Sequence, residues 1–183
     1  MVNFIRGKKS AFTLFKIDEG MDSGDIICQE VYEISHKDYA EDVHKKVYES
    51  LKSSIRTKMR DLMDCKLKLK SHNHEKARYL FIRRPEDGII DWNDDIEDIH
   101  RLIRATFRPY PGAFTYYNNK KIIVWKAKIV ENGPYIGING QIAKIENKKV
   151  YVVVGNKLLC LTELETENNQ KIDFRVGKKL TNY

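Results

Sequence analysis

Four carboxylates and two glycines fall within one short stretch, Ile17-Asp18-Glu19-Gly20-Met21-Asp22-Ser23-Gly24-Asp25-Ile26-Ile27. A carboxylate held at a fixed point can take a proton from an attacking nucleophile, or orient another base that does so. Apolar, β-favouring runs flank the stretch, Ala11 to Ile17 before it and Ile26 to Ile34 after it. Such runs bounded by turn residues read as strands. Glycines at 20 and 24 admit backbone conformations that a side chain resists, so the loop is able to present Asp22 beside a ligand. The plainer reading of the same residues is an ordinary acidic connection between two strands.

Other reactive residue types are sparse. Cys28, Cys65 and Cys160 are widely separated and odd in number, giving neither a disulfide framework nor metal-ligand spacing. Reduced, mostly buried thiols are expected. His72-Asn73-His74 is a close histidine pair in a polar connecting stretch, and no metal site is expected there. The net charge of +7 over 183 residues suits a polyanionic partner. Much of the excess lies between Lys45 and Arg84, where a solvated helix face explains many of the cations equally well. No apolar run approaches the roughly 20 residues that span a membrane. The apolar stretch at Met1 to Lys9 is too short for a signal peptide, so a cytoplasmic location is expected.

The elements that must position the acidic loop follow from periodicity. A chain of this length supports one domain with a sizeable core, or two small ones. Asp38 and Glu41 suit a capping box. Val43, Val47, Leu51, Ile55, Met59 and Leu62 then recur at helical spacing, predicting an amphipathic helix with one buried stripe. Lys66 to Pro85 reads as a connection, with a short extended segment at Arg78 to Ile82. A second helix is expected with Asp94 as N-cap, Glu97 completing the box, and Ile96, Ile99, Ile103 and Phe107 as its buried face. Arg108-Pro109-Tyr110-Pro111-Gly112 stops it, because each proline lacks an amide donor. Strands are then predicted at Ala113 to Tyr117, Ile122 to Val130, Gly140 to Glu146, Val150 to Val154 and Leu158 to Leu164. Asn118-Asn119, Asn147-Lys148 and Gly155-Asn156 supply the turns. Short strands so spaced suggest a small OB-like β-barrel. There is no internal repeat, and Lys178 to Tyr183 reads as a loose end.

Two blocks of residues carry a family resemblance. The first is Phe4-Ile5-Arg6-Gly7, Ser10-Ala11-Phe12-Thr13-Leu14 and Asp18-Glu19-Gly20-Met21-Asp22-Ser23-Gly24-Asp25-Ile26-Ile27. The second is Asp87-Gly88-Ile89-Ile90-Asp91-Trp92, Ile99-His100-Arg101-Leu102-Ile103-Arg104-Ala105 and Pro109-Tyr110-Pro111-Gly112-Ala113-Phe114. Together, from about Val2 to Lys171, they resemble formyltransferases that use 10-formyltetrahydrofolate, of the methionyl-tRNA and sugar N-formyltransferase type. The resemblance implies an α+β chain: residues 1–70 are a remnant of the family's α/β catalytic domain (strand-loop-strand-helix). Residues 71–112 are a linker and helix, and residues 113–177 an OB-like β-barrel.

It also implies roles. Asp22, placed before Ser-Gly-Asp-Ile, matches the catalytic Asp, which orients a histidine or relays the amine proton through water. Asp18, Glu19 and Gly20 would line the pterin pocket through their backbone, or Asp18 and Glu19 merely cap the turn; Asp25 is structural. Arg83, Arg84 and Arg104 would meet phosphates of the acceptor, with structural ion pairing as the other reading for each. The family's Asn-x-His segment is not found ahead of the loop. The chain therefore looks like a C-terminal portion (a truncated product or one piece of a split protein) that should not catalyse efficiently alone. The expected partners are an amine acceptor, a missing N-terminal half, or a second copy joined through an exposed sheet edge. Arg83 to Trp92 is closer to enzymes that formylate sugar-nucleotide amines. The basic helix and barrel fit a methionyl-tRNA acceptor, and a non-catalytic module binding RNA or sugar is the third reading.

Overall fold

The protein's structure, a computed structural model, describes residues 8–64, 66–73, 75, 80–130, 135–166 and 171–183. Cys65, His74 and the Arg78 end of the predicted extended segment lie outside the described residues. The fold is mixed α/β with two sheets, divided into two compact units, Val2–Ile82 and Arg83–Tyr183. The division falls inside the 71–112 stretch read as linker. The helix of that stretch belongs to the second unit.

In the first unit, β1 (Lys9–Phe15) and β2 (Ile26–Glu33) form an antiparallel hairpin with Phe12 opposite Glu30 and Leu14 opposite Cys28. Helix α1 (Ala40–Met63) follows. Its cap lies one residue later than Asp38 and Glu41 suggest: the Asp42 carboxylate accepts the Tyr39 N–H at 3.0 Å. Asp38 accepts the Ser35 N–H at 2.7 Å and pairs with the Lys46 ammonium instead. Ser54, buried on α1, donates to the Glu30 carboxylate and ties the helix to the hairpin.

The expected buried stripe of α1 stops early. Val43 is buried, but Ile55, Met59 and Leu62 are 38%, 45% and 51% exposed. The reason is size. A helix of 24 residues is about 36 Å long, and a hairpin whose longer strand has 8 residues reaches about 27 Å. Two strands cannot cover it.

The second unit is built on a five-stranded antiparallel sheet in the order β3-β4-β7-β6-β5. The strands are β3 (Ala113–Tyr117), β4 (Lys120–Val130), β5 (Ile142–Glu146), β6 (Lys149–Val154) and β7 (Lys157–Thr166). Their turns match the expected residues: Asn118, Asn119, Asn147 and Lys148 all have positive φ, as two-residue hairpins with the strands' twist require. Helix α2 (Ile96–Ala105) buries Ile96, Ile99 and Ile103, and Phe107 just beyond it is buried as well. Its cap is Asp95, accepting the Glu97 N–H at 2.8 Å, rather than Asp94. Gly112 ends the turn after α2 at φ 87°, where a Cβ would lie 2.5 Å from Ile123. Arg108 stacks 4.2 Å over Trp125 and pairs with Glu163 at 2.7 Å, holding that turn to the sheet.

The expectation of an OB-like barrel is met only as far as an antiparallel sheet of five strands: among the described residues no closed barrel forms. Among the described residues β3 and β5 do not pair with each other; they are the two ends of an open sheet. The C-terminal residues bridge those ends, so the expectation of a loose Lys178 to Tyr183 is overturned. Tyr116 and Thr181 exchange backbone hydrogen bonds of 2.8 and 2.9 Å on the β3 side. Lys178 accepts the Ile142 N–H at 2.8 Å and Leu180 donates to Gly140 at 2.8 Å on the other. Leu180 between them is 0% exposed. Buried Trp92 donates its indole N–H to Thr115 (3.0 Å), whose hydroxyl donates to the Thr181 carbonyl (2.8 Å). Apolar burial and edge satisfaction act together here. Leu180→Ala is expected to destabilise this unit by about 2–5 kcal/mol, the usual cost of emptying a fully buried leucine site. Urea unfolding monitored by tryptophan fluorescence measures it, and a loss within error would show that the segment does not hold the sheet.

Candidate functional site

The acidic loop spans the mouth of the β1–β2 hairpin. Its base is closed by the Lys16 N–H donating to the Asp25 carbonyl at 2.9 Å. Inside, the Asp18 carboxylate accepts the Gly20 N–H at 3.0 Å and the Ser23 hydroxyl at 2.7 Å. These two bonds replace backbone pairing that so short a loop cannot make for itself. They also hold the Asp18 carboxyl below its ordinary pKa, the Ser23 bond chiefly and the Gly20 bond and nearby His72 in addition, with desolvation opposing.

Asp22 sits at the apex with φ 54°, in the left-handed region. A non-glycine residue there is uncommon, and Asp tolerates it better than most. The glycines act otherwise than their flexibility suggests. Neither Gly20 nor Gly24 has positive φ; what they supply is space. A Cβ on Gly24 would fall 1.7 Å from the Lys16 carbonyl oxygen, and one on Gly20 2.0 Å from the Ser23 hydroxyl. The Asp22 side chain is exposed and has no partner among the described residues.

The backbone groups of Glu19, Met21 and Asp22 likewise have no hydrogen-bond partner among the described residues. The loop thus presents backbone donors and acceptors beside an outward carboxylate. That arrangement is able to read the edge of a heterocycle and to take up a proton next to it.

Two contributors were missed in the sequence. Ser23 is the main tie to Asp18, and its signal was its place between Asp22 and Gly24. His72 is brought to the loop by Lys70, which exchanges backbone hydrogen bonds with Ile26 at 2.7 and 3.0 Å. Its ring meets Phe15 edge-on at 5.9 Å, and its charge acts on Asp18. No local pattern announces that pairing.

Asp18, Gly20 and Asp22 therefore share one loop of the first unit. Arg83, Arg84 and Arg104 belong to the second. Arg83 and Arg84 are exposed, with the Arg84 N–H donating to Asp87 at 2.8 Å. Arg104 is 5% exposed, inside the α2 core, where an acceptor phosphate would have to enter the protein to meet it. A different basic row crosses the sheet of that unit: Lys144 lies opposite Tyr151, Tyr151 opposite Cys160, and Cys160 opposite Lys128. The Lys144 ammonium is 5.6 Å from the Tyr151 ring centre. Among the described residues no His, Cys, Asp and Glu group could hold a metal ion, and no helix is long and apolar enough to cross a membrane.

A family model, Formyl transferase, C-terminal domain, matches residues 83–177. The bifunctional polymyxin resistance protein ArnA of Wigglesworthia glossinidia brevipalpis is 31% identical over 182 residues, covering 96% of this chain and 28% of that protein. The methionyl-tRNA formyltransferase of Carboxydothermus hydrogenoformans is 32% identical over 169 residues, 91% of this chain and 54% of that enzyme. Among solved structures, the N-formyltransferase from Helicobacter canadensis, in complex with folinic acid and dTDP-3-aminofucose, has a similar fold. Its TM-score is 0.64 at 18% identity, over 87% of this chain and 58% of that one. This chain spans about half the length of the curated relatives it matches, and less of ArnA.

The loop has a testable pH dependence. Because bonding lowers the folded pKa of Asp18, its tie to Ser23 and Gly20 is complete above the ordinary Asp value of about 4. The tie is lost as pH falls through the lower folded value. In Ser23→Ala the midpoint of the Gly20 amide shift, followed by NMR, is expected to move up toward that ordinary value. An unmoved midpoint would mean that Ser23 does not hold the loop.

Proposed function

The chain belongs to the formyltransferase family through its C-terminal domain, and from that premise we propose that it is the C-terminal portion of an N-formyltransferase. The reaction carries a formyl group from 10-formyltetrahydrofolate to a primary amine, with a sugar-nucleotide amine favoured as acceptor. The observation that carries this reading is Asp22, outward and held left-handed at the apex of a loop tied from within.

In such a transfer the neutral amine attacks the formyl carbon and a tetrahedral oxyanion forms. The amine loses a proton, and the bond from the formyl carbon to the folate nitrogen breaks, releasing tetrahydrofolate. Asp22 would orient the base that takes the proton or relay it through water. The free backbone groups around Glu19 would bind the pterin edge. The Asn and His that donate to the oxyanion are not part of this loop, so the residues here supply only part of the transition-state stabilisation.

Support for a sugar acceptor comes from the Arg83 to Trp92 block, beside a fold similar to that of an N-formyltransferase solved with dTDP-3-aminofucose. A second reading, a methionyl-tRNA acceptor or a domain that only binds RNA, is favoured by the Lys144–Tyr151–Lys128 row. There the Lys144 ammonium lies 5.6 Å from the Tyr151 ring, and Lys128 stands beyond Cys160 two strands on; aromatic rings beside cations serve surfaces that stack bases and meet phosphates. Cytoplasmic location goes with either reading.

With the N-terminal half of a relative fused ahead of this chain, formylation of a sugar-nucleotide amine such as a dTDP-aminosugar is expected to exceed that of methionyl-tRNA. Asp22→Asn should lower the rate by roughly 10²-fold or more. Activity confined to methionyl-tRNA would overturn the sugar preference, and salt-sensitive RNA retention without any folate affinity would favour the binding module. The edge of β1 that has no partner among the described strands is expected to pair with a second copy. Analytical ultracentrifugation should then find a dimer at high concentration, and a clean monomer would count against that pairing.

A further inference from the structure

The second unit carries exposed aliphatic side chains on two loops at one end of its sheet. Ile136 is fully exposed, Ile138 is 67% and Val176 61% exposed, and Tyr135 next to Ile136 is partly exposed. Single exposed apolar residues are ordinary, but these come together from loops distant in sequence, residues 135–141 and 171–180. Gln141 ties the two: its Oε1 accepts the Ile138 N–H at 3.2 Å, and its Nε2 donates to the Gly177 carbonyl at 3.0 Å. Gln141 also forms a backbone bridge with Lys179. Gly140, at φ 84°, allows this approach, since a Cβ there would lie 2.7 Å from the Leu180 carbonyl oxygen. Asn139 holds the first loop from its other side by accepting the Gly155 N–H at 2.8 Å. The aliphatic side chains are thus carried outward on a tied backbone. On these loops and the adjoining β5 the acids among the described residues are Asp173 and Glu146, and each faces a cation, Arg175 at 3.5 Å and Lys144 at 2.9 Å. Lys178 and Lys179, both exposed, have no ion-pair partner among the described residues and leave this end positive.

We propose that this end of the second unit is a contact site for an anionic lipid surface, with Ile136, Ile138 and Val176 entering the headgroup region and Lys178 and Lys179 meeting lipid phosphates. Size and charge choose this occupant. A stable protein interface takes about 20–30 residues from each side, and four exposed apolar side chains fall far short of that. A lipid surface needs no shaped counterpart: a few aliphatic side chains at the acyl boundary, with cations at the level of the headgroups, are enough for reversible binding. Each lysine near an anionic leaflet adds attraction that salt screens. A second copy docked on the same end would set Lys178 and Lys179 against themselves. Nucleic acid would match the lysines but leaves the aliphatic side chains in water. Tyr135, with an apolar ring and a polar tip, suits the boundary between the two regions. The ties through Gln141 and Asn139 mean that little backbone ordering is needed on contact. The contact is peripheral and holds for any acceptor amine.

The test is sedimentation of the chain with vesicles of phosphatidylglycerol mixed with phosphatidylcholine, set against vesicles of phosphatidylcholine alone. Binding to the anionic vesicles is expected, with little to the neutral ones. Ile136→Ser/Ile138→Ser should weaken it at least about tenfold through lost apolar burial. Lys178→Glu/Lys179→Glu should weaken it by a similar factor through lost attraction. Both variants are expected to keep the thermal unfolding of the wild-type chain, since the altered side chains are exposed. Ile136→Trp gives a readout that needs no loss of binding: its fluorescence should shift to the blue when anionic vesicles are added. No binding by the wild-type chain, equal binding to neutral vesicles, or binding undiminished by the serine pair overturns the proposal. So does an unshifted emission from Ile136→Trp. RNA binding that the glutamate pair abolishes and the serine pair leaves intact, without any vesicle binding, would make nucleic acid the occupant and overturn it as well.

Discussion

The constraint on which the rest of this structure depends is that the backbone N–H and C=O groups along a sheet edge need partners. In residues Arg83–Tyr183 the demand is met from the two ends of the unit's own sequence. Ile90 donates to the Phe114 carbonyl at 2.8 Å, and Thr181 exchanges bonds with Tyr116, so β3 is covered by residues from both sides of the sheet in sequence. Lys178 and Gly177 do the same for Ile142 at the start of β5. Side chains then make these edge contacts costly to break. Trp92 and Thr115 form a buried relay to the Thr181 carbonyl, and Leu180 fills the core beneath.

Among the described residues of the first unit, one backbone pairing beyond the hairpin lies at a single corner of it. Lys70 pairs with Ile26, and that pairing draws His72 to the acidic loop. The loop itself satisfies its backbone with a side chain, Asp18, in place of a neighbouring strand. Among the described residues polar and apolar satisfaction are incomplete in parallel here: β1 has one neighbouring strand, and Ile55, Met59 and Leu62 of α1 stay partly exposed. The chemistry follows from that local economy. Because Asp18 is spent inward on Gly20 and Ser23, Asp22 and the peptide groups beside it remain outward, available to a ligand.

Much of this was legible from residue order. The two positive-φ pairs at Asn118-Asn119 and Asn147-Lys148 were recognisable because Asn tolerates the left-handed region, and strand boundaries on either side followed. The buried face of α2 came directly from the spacing of Ile96, Ile99 and Ile103. Asp22 was legible as the residue of interest, but not the means of holding it. The glycines pointed to flexible backbone, whereas the structure uses them for clearance and puts the left-handed φ on Asp22 itself. Both helix caps lie one residue later than read. Asp and Glu crowd each N-terminus, and Asp38 is diverted to Ser35 and Lys46.

Sequence by itself thus determined the elements and the motif: the strand-loop-strand, two helices, five later strands and the acidic loop that carries the family likeness. These rest on local periodicity and turn chemistry, which act over a few residues. Tertiary structure alone decided that the C-terminal residues bridge the sheet edges, that no barrel closes among the described residues, that Arg104 is buried, and that Ile55, Met59 and Leu62 of α1 stay partly exposed. Each of those depends on what lies alongside an element, and Thr181 meets Tyr116 across a long span of intervening chain. A periodic apolar stripe states that a surface needs cover, but whether cover arrives is set by the area its neighbours offer.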